Sequence, residues 1–192
     1  MAGTKERIME ATAELFRRQG YTGTGLKQIT AAAGAPFGSL YHYFPGGKEQ
    51  LSEAVIRASG EIYFSLFEAI MSASPDVATG VANCFSGAAG VLRQTGYADA
   101  CPIETIALEV ASTNETLRIA TADVFESWIG GMTRNFSAAG IAPKVARDLA
   151  IVVIAGLEGA FVLSRAMRTT EAIESAGASA SAAVRAATPR QA

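Results

Sequence analysis

The chain has 192 residues, 49% of them apolar, with 16 Lys and Arg against 18 Asp and Glu. That is enough apolar material for a sizeable core and excludes a largely disordered chain. Two cysteines and one histidine are too few for a disulfide scaffold or a His-based metal site, so no metal and no cofactor is expected.

Helical periodicity runs from end to end, and the expected fold class is all-α. In TKERIMEATAELFRRQGY, Ile8, Ala11, Leu15 and Phe16 recur at helical spacing, with Thr4 as a plausible N-cap and Gly20 as the stop. A short helix follows over about 26–33, preceded by Thr24 and Gly25 and ended by Gly34. Another covers about 37–44, with Pro36 tolerated at its first turn. Pro45-Gly46-Gly47 breaks the pattern, and a long amphipathic helix runs from Lys48 to about Ala73. Further helices are expected over about 77–94, 101–111, 114–138, 144–167 and 171–186, with the TPRQA tail frayed. The breaks between them fall at Ser74-Pro75, Thr95-Gly96, Gly140 to Pro143, and Thr169-Thr170.

The opening MAGTKERIMEA is polar, with no apolar signal core. The strongly apolar run Leu149–Leu157 is too short to span a membrane. Both point to a soluble, cytoplasmic protein with no membrane partner. Charge is uneven. Residues 1–57 carry seven Lys and Arg against five Glu, leaving nine basic and thirteen acidic residues in the rest. A mildly basic head on an acidic body suits a chain whose head alone meets phosphate.

The two short helices joined by Gly34-Ala35-Pro36 have the requirements of a helix-turn-helix. Ala33 is small where helices cross, Gly34 supplies the turn, and Ile29, Leu40 and Phe44 supply apolar anchors. Leu40 and Phe44 share one face of the second helix. That phase turns Lys27 and Gln28 outward on the first helix, and Gly38, Ser39, His42 and Tyr43 outward on the second, with Tyr41 at the boundary. Gly38 and Ser39 allow close approach to base edges, while tyrosine hydroxyls reach phosphate oxygens at the groove rims. Lys48, in the first turn of the next helix, is placed against the helix dipole and suits a phosphate held jointly with the free N–H groups.

The segment from Ile8 to Leu51 resembles the DNA-binding head of the tetracycline-repressor (TetR) family. The resemblance is carried by Phe16-Arg17-Arg18-Gln19-Gly20-Tyr21, Ile29, Ala33-Gly34-Ala35 and Leu40-Tyr41-His42-Tyr43-Phe44. It implies a homodimeric, ligand-responsive transcriptional regulator, usually a repressor, acting on palindromic double-stranded operator DNA. It divides the chain into a helix-turn-helix domain over 1–47 and a helical ligand-binding and dimerisation domain over 48–192. By position it places Thr24, Lys27, Phe37, Gly38, Ser39, Tyr41, Tyr43 and Lys48 at the DNA. Two positions depart from the pattern: Thr30 replaces the usual alanine, and Phe37 stands where many relatives carry a polar or basic residue. Phe37 has two readings, contact with a thymine methyl or folding back onto Leu40.

In the body, CPIETIALEVA (Cys101 to Ala111), FPGGKEQL and GLEGAFVLSRAMR resemble the LmrA-like branch of the family. That resemblance implies planar apolar effectors such as drugs and flavonoids. A pocket for them needs apolar walls with a few polar groups. The candidate walls are Phe67, Phe85, Leu108, Phe125, Trp128 and Met132. The candidate polar groups are Cys101, Glu104, Thr105 and Asn83.

The helix over 144–167 is apolar on nearly all faces, so something must cover it. Ile151, Ala155, Gly156, Gly159, Val162 and Leu163 mark a close helix contact between two copies of the chain. Glu158 in that run should pair with Arg165 or Arg168 if it is buried. No catalytic constellation is present, so the chain reads as no enzyme. The alternative to a DNA-binding regulator is a ligand-binding helical protein whose DNA binding has degenerated.

Overall fold

The computed structural model describes residues 3–189, which holds the whole periodic part of the sequence. Among the described residues nine helices form and no strand does. They are α1 (Thr4–Gln19), α2 (Leu26–Ala32), α3 (Phe37–Tyr43), α4 (Gly47–Ala73), α5 (Val77–Gln94), α6 (Pro102–Val110), α7 (Glu115–Ala138), α8 (Pro143–Met167) and α9 (Glu171–Ala187). The expected boundaries hold to within a residue or two. Of the tail expected to fray, residues 190–192 lie outside the described residues.

The stops work as the sequence suggests. Gly20 and Gly34 both take positive φ, +75° and +57°, where a side chain would be strained. The caps differ in detail. Thr4 lies inside α1, whose N-cap is Gly3, and Gly25 rather than Thr24 caps α2. Pro36 is the N-cap of α3 rather than its first turn, and Pro143 opens α8. A side-chain cap forms at α5, where Asp76 accepts a hydrogen bond from the Thr79 N–H at 2.8 Å.

The described chain divides into two compact units. The first runs through Ile62 and includes Cys101–Val124; the second holds Tyr63–Ala100 and the residues from Phe125 onward. The division falls inside α4 and α7 and groups α6 with the three helices of the head.

In the first unit Ile8, Phe16, Ile29 and Leu40 are fully buried and Phe44 nearly so, which fixes the three head helices on one another. Arg7 adds a tie from α1 to the end of α2, its Nε donating to the Ala33 carbonyl at 3.1 Å. In the second unit α9 lies against both α5 and α8. Its contact with α5 is close because position 177 is glycine: a Cβ there would lie 2.6 Å from the Cβ of Phe85.

Along α8, Ala146, Ala150, Val153, Ile154, Ala160 and Ser164 face the core of the second unit. Ile151, Val152, Val162, Leu163 and Met167 are exposed. By length and composition α8 could cross a membrane, a property the Leu149–Leu157 run alone did not suggest.

Candidate nucleic-acid interface

The outward face of α3 is built by burying the opposite one. With Leu40 and Phe44 in the core, Phe37, Tyr41 and Tyr43 remain 43%, 47% and 38% exposed. Gly38 and His42 are exposed beside them and Ser39 is half-buried. The aromatic rings brace one another. Phe37 meets Tyr41 edge-on at 5.7 Å, and His42 meets Tyr43 edge-on at 4.9 Å. The Phe37 ring packs on Tyr41 and stays accessible. Gly38 has nothing within 4 Å of the position a Cβ would take, so the face around it is open. Lys27 and Gln28 are exposed on α2. Thr30, the departure from the family pattern, is buried with its hydroxyl donating to the Lys27 carbonyl at 3.1 Å. The polar atom thereby costs little in the position an alanine would fill.

Thr24 does not belong to this face. It is 1% exposed. Its hydroxyl donates to the Gly20 carbonyl at 2.7 Å and accepts from Gln19 Nε2 at 3.2 Å. With its donor and one acceptor position used inside the head, the buried Thr24 hydroxyl staples the α1–α2 turn. The same turn is tied to α2 by the amide pair of Gln19 and Gln28, 2.7 Å from Gln19 Nε2 to Gln28 Oε1.

Lys48 has a structural partner as well as an outward position. Its Nζ donates to the Tyr21 carbonyl at 2.6 Å and lies 4.1 Å from the centroid of the Tyr21 ring. Burial pushes the ammonium pKa down, with Glu109 nearby pulling it back up. One of the three ammonium donors is spent on Tyr21.

The expected pocket residues fall in two places. Phe67, Phe85, Phe125, Trp128 and Met132 belong to the second unit. Phe85 and Met132 are core residues there, while Phe67, Phe125 and Trp128 are partly buried against the same core. Phe125 and Trp128 meet edge-on at 5.8 Å, and Phe67 stacks with Phe64 at 6.1 Å.

Cys101, Glu104, Thr105 and Leu108 belong to the first unit. Cys101 is buried at the start of α6, and Thr105 donates to its carbonyl at 2.9 Å. Leu108 is 74% exposed. On α6 the buried positions are Pro102, Ile103, Ile106 and Val110, and Leu108 falls on the opposite side. Asn83 is exposed and donates to Ser74 Oγ at 3.0 Å, on the outside of α5. Cys84 is a free thiol, and burial pushes it up to about 11.

On α8, Ile151, Ala155, Gly159, Val162 and Leu163 are exposed and Gly156 half-exposed. Neither glycine has an atom within 4 Å of an added Cβ. The arginines expected to pair with Glu158 reach the α5–α6 loop: Arg165 donates to the Ala98 carbonyl at 3.3 Å and Arg168 to that of Gly96 at 2.6 Å.

The residue the sequence reading missed is Glu109. Its carboxylate accepts from the backbone N–H groups of Tyr21 and Thr22, 87 or more positions away.

A three-helix head with an open aromatic-polar recognition helix, joined to an all-helical body, defines a helix-turn-helix DNA-binding regulator rather than an enzyme. The comparisons with known proteins fix the family. Residues 8–55 match the model of the bacterial regulatory proteins of the tetR family. Residues 77–179 match that of the LmrA/YxaF-like transcriptional regulator C-terminal domain.

The chain is 34% identical over 161 residues to the HTH-type transcriptional regulator YxaF of Bacillus subtilis, covering 84% of each. It is 33% identical to the HTH-type transcriptional regulator LmrA of the same organism, covering 84% of this chain and 86% of LmrA. A more distant relative, 23% identical over 88% of this chain and 86% of its own, is the HTH-type transcriptional repressor DhaR of a Mycobacterium species. Among solved structures, a TetR regulator from Chloroflexus aurantiacus is 28% identical, covers 95% of this chain and 94% of its own, and has a TM-score of 0.79. The chain belongs to the TetR family of transcriptional regulators, in the group with an LmrA/YxaF-like C-terminal domain.

Proposed function

We propose that the chain is a repressor that binds a palindromic operator as a homodimer and leaves it when a small apolar or aromatic effector binds the body. The observation that carries the DNA half is the outward face of α3, with three aromatic rings exposed while the opposite face is fully buried. On this reading Lys27, Phe37, Gly38, Ser39, Tyr41, His42, Tyr43 and Lys48 meet DNA, the aromatic and small residues in the major groove and Lys48 at a phosphate.

The dimer half is supported by the exposed apolar stripe of α8, which needs a cover. A second copy supplies one through Ile151, Ala155, Gly156, Gly159, Val162 and Leu163. Repression is supported by the name of the relative DhaR. The sensing half is supported by the partly buried aromatic group Phe67, Phe125 and Trp128. Release follows from linkage: an effector that binds better to a form whose heads do not match the two half-sites must lower DNA affinity by the same factor.

The test uses the DNA immediately upstream of the chain's own coding sequence. A gel shift with purified protein should retard it, and a planar aromatic compound such as a flavonoid should release it. The same compound should quench Trp128, the only tryptophan, over the same concentration range. No retardation at low salt would sink the regulator reading in favour of a ligand-binding protein. Release without any change in Trp128 emission would move the sensing site elsewhere in the body.

A further inference from the structure

Glu109, at the end of α6, grips the backbone of the head. Oε1 accepts the Tyr21 N–H at 3.1 Å and Oε2 accepts the Thr22 N–H at 2.6 Å. The approach requires glycine at position 20, because a Cβ there would collide with Glu109 Oε1. Gly20 is thus fixed twice over, by its φ of +75° and by this contact. The Tyr21–Thr22 peptide bond is also held from α4 through its carbonyl, where Lys48 Nζ donates to the Tyr21 oxygen at 2.6 Å and sits over the Tyr21 ring. The turn between α1 and α2 therefore has its N–H groups on one helix and its carbonyl on another.

Neighbouring contacts extend the junction. Asn114 caps α7 by accepting the Leu117 N–H at 2.9 Å and donates to Glu49 Oε2 on α4 at 2.6 Å. A single hydrogen bond leaves a turn free to rotate about it. Two charge-assisted bonds to adjacent N–H groups from one carboxylate fix its orientation.

We propose that Glu109 is a positioning residue for operator binding: its two-oxygen grip on the Tyr21–Thr22 turn fixes the pitch of the head on α6. That pitch sets how strictly the dimer discriminates the spacing of the operator half-sites. The proposal rests on the reading of the chain as a dimeric operator binder. Inserting one base pair between half-sites moves one of them by about 3.4 Å along the duplex and rotates it by about 35°. A head held rigidly cannot follow that displacement, and one held loosely can. Glu109 therefore trades reach for spacing selectivity.

The experiment compares the full-length wild type with E109Q on three duplexes: the retarded upstream operator, the same operator with one base pair inserted at its centre, and a single half-site. Glutamine keeps the size of the side chain and one acceptor oxygen, but turns an NH2 donor toward one of the two N–H groups. At native spacing E109Q should bind about tenfold more weakly, the scale of one lost charge-assisted hydrogen bond. On the inserted operator it should bind within about threefold of wild type, and on the half-site within about twofold. Amide exchange at Tyr21 and Thr22 should speed up in the free protein. E109D keeps the charge but draws the carboxylate back by one methylene, and should give the same pattern if E109Q does not fold. Equal weakening on all three duplexes would overturn the proposal, because Glu109 would then only stabilise the fold. No change on any of them would overturn it too. A wild type that binds none of the duplexes defeats the operator reading itself and the proposal with it.

Discussion

Replacing Lys48 with methionine separates two roles that coincide at one ammonium. Methionine keeps much of the apolar stem and removes the charge. The structure gives that charge a 2.6 Å hydrogen bond to the Tyr21 carbonyl and a position 4.1 Å from the Tyr21 ring centroid. A hydrogen bond with one charged partner contributes about 1.5–3 kcal/mol, and a cation over a partly exposed ring about 0.5–1 kcal/mol. The two share one group, so they do not add, and solvent screening takes the low end. The expected loss is about 1–2 kcal/mol, read as a lower urea midpoint at unchanged slope.

The phosphate role is read separately from the salt dependence of operator affinity. Each phosphate neutralised contributes about 0.9 to the log–log slope, so a dimer losing one contact per head should flatten by about 1.8. An unchanged urea midpoint would show that the Tyr21 contact contributes nothing. A lowered midpoint with an unchanged salt slope would leave Lys48 a structural role only, and the phosphate assignment would fall.

The Phe37 ring should be read out by DNA methyl groups. Replacing operator thymines with uracil should cost wild type about fourfold per contacted methyl, from about 0.8 kcal/mol of lost apolar contact, and cost F37A nothing. Equal penalties in both proteins would show that Phe37 touches no methyl. At the subunit contact, Gly159→Leu has room in the isolated chain, since nothing lies within 4 Å of an added Cβ. Overpacking against a second copy should cost about 1–3 kcal/mol and shift sedimentation toward monomer; a wild type already monomeric at micromolar concentration would refute the contact.

Asp76 accepts from the Thr79 N–H and hydroxyl, both at 2.8 Å, and these bonds, the backbone one foremost, hold its carboxyl below the ordinary range. Asp76→Ala should cost about 1 kcal/mol at neutral pH. The lowered folded pKa means the contribution is complete above the unfolded carboxyl range and disappears as pH falls through the folded value. The difference in melting between D76A and wild type should therefore close in acid, and a gap independent of pH would place the cap energy elsewhere.

The helix plan was legible because its punctuation is local. Gly20, Gly34, Pro45-Gly46-Gly47 and Gly140 each stop a periodic run, and the phase of Ile29, Leu40 and Phe44 alone predicts which side of α3 stays outside. What was not legible depends on hydrogen-bond partners that periodicity does not mark. Thr24 was placed at the DNA by family position, but its hydroxyl turns back onto the Gly20 carbonyl four residues earlier. Nothing in the run around Glu109 distinguishes a carboxylate that binds two backbone N–H groups from a solvated one. Gly20 read as a stop, and its second reason appears only when α6 arrives. Leu108 is a different case, because the signal of its exposure is in the sequence. Ile103, Ile106 and Val110 set the buried phase of α6 at spacings of three and four, and Leu108 is out of that phase.

Periodicity also fails in a specific way along α8. Where a helix is apolar on every side, the pattern says that all faces need cover but cannot say which neighbour covers which. Packing of α9 decides it. Ala146, Ala150, Val153, Ile154, Ala160 and Ser164 face inward, and the stripe through Ile151, Ala155, Gly159 and Leu163 is left outside. On α9, Ile173, Gly177, Ala180, Ser181 and Val184 are buried, which leaves Ser175, Ala178, Ser179 and Ala182 on its outer side. Small residues on one exposed helix beside branched apolar ones on its neighbour are what a close helix-on-helix contact needs, because the small side chains open the grooves that the branched ones fill. In the proposed dimer a second copy of the same pair would present both halves at once, as a two-fold contact requires.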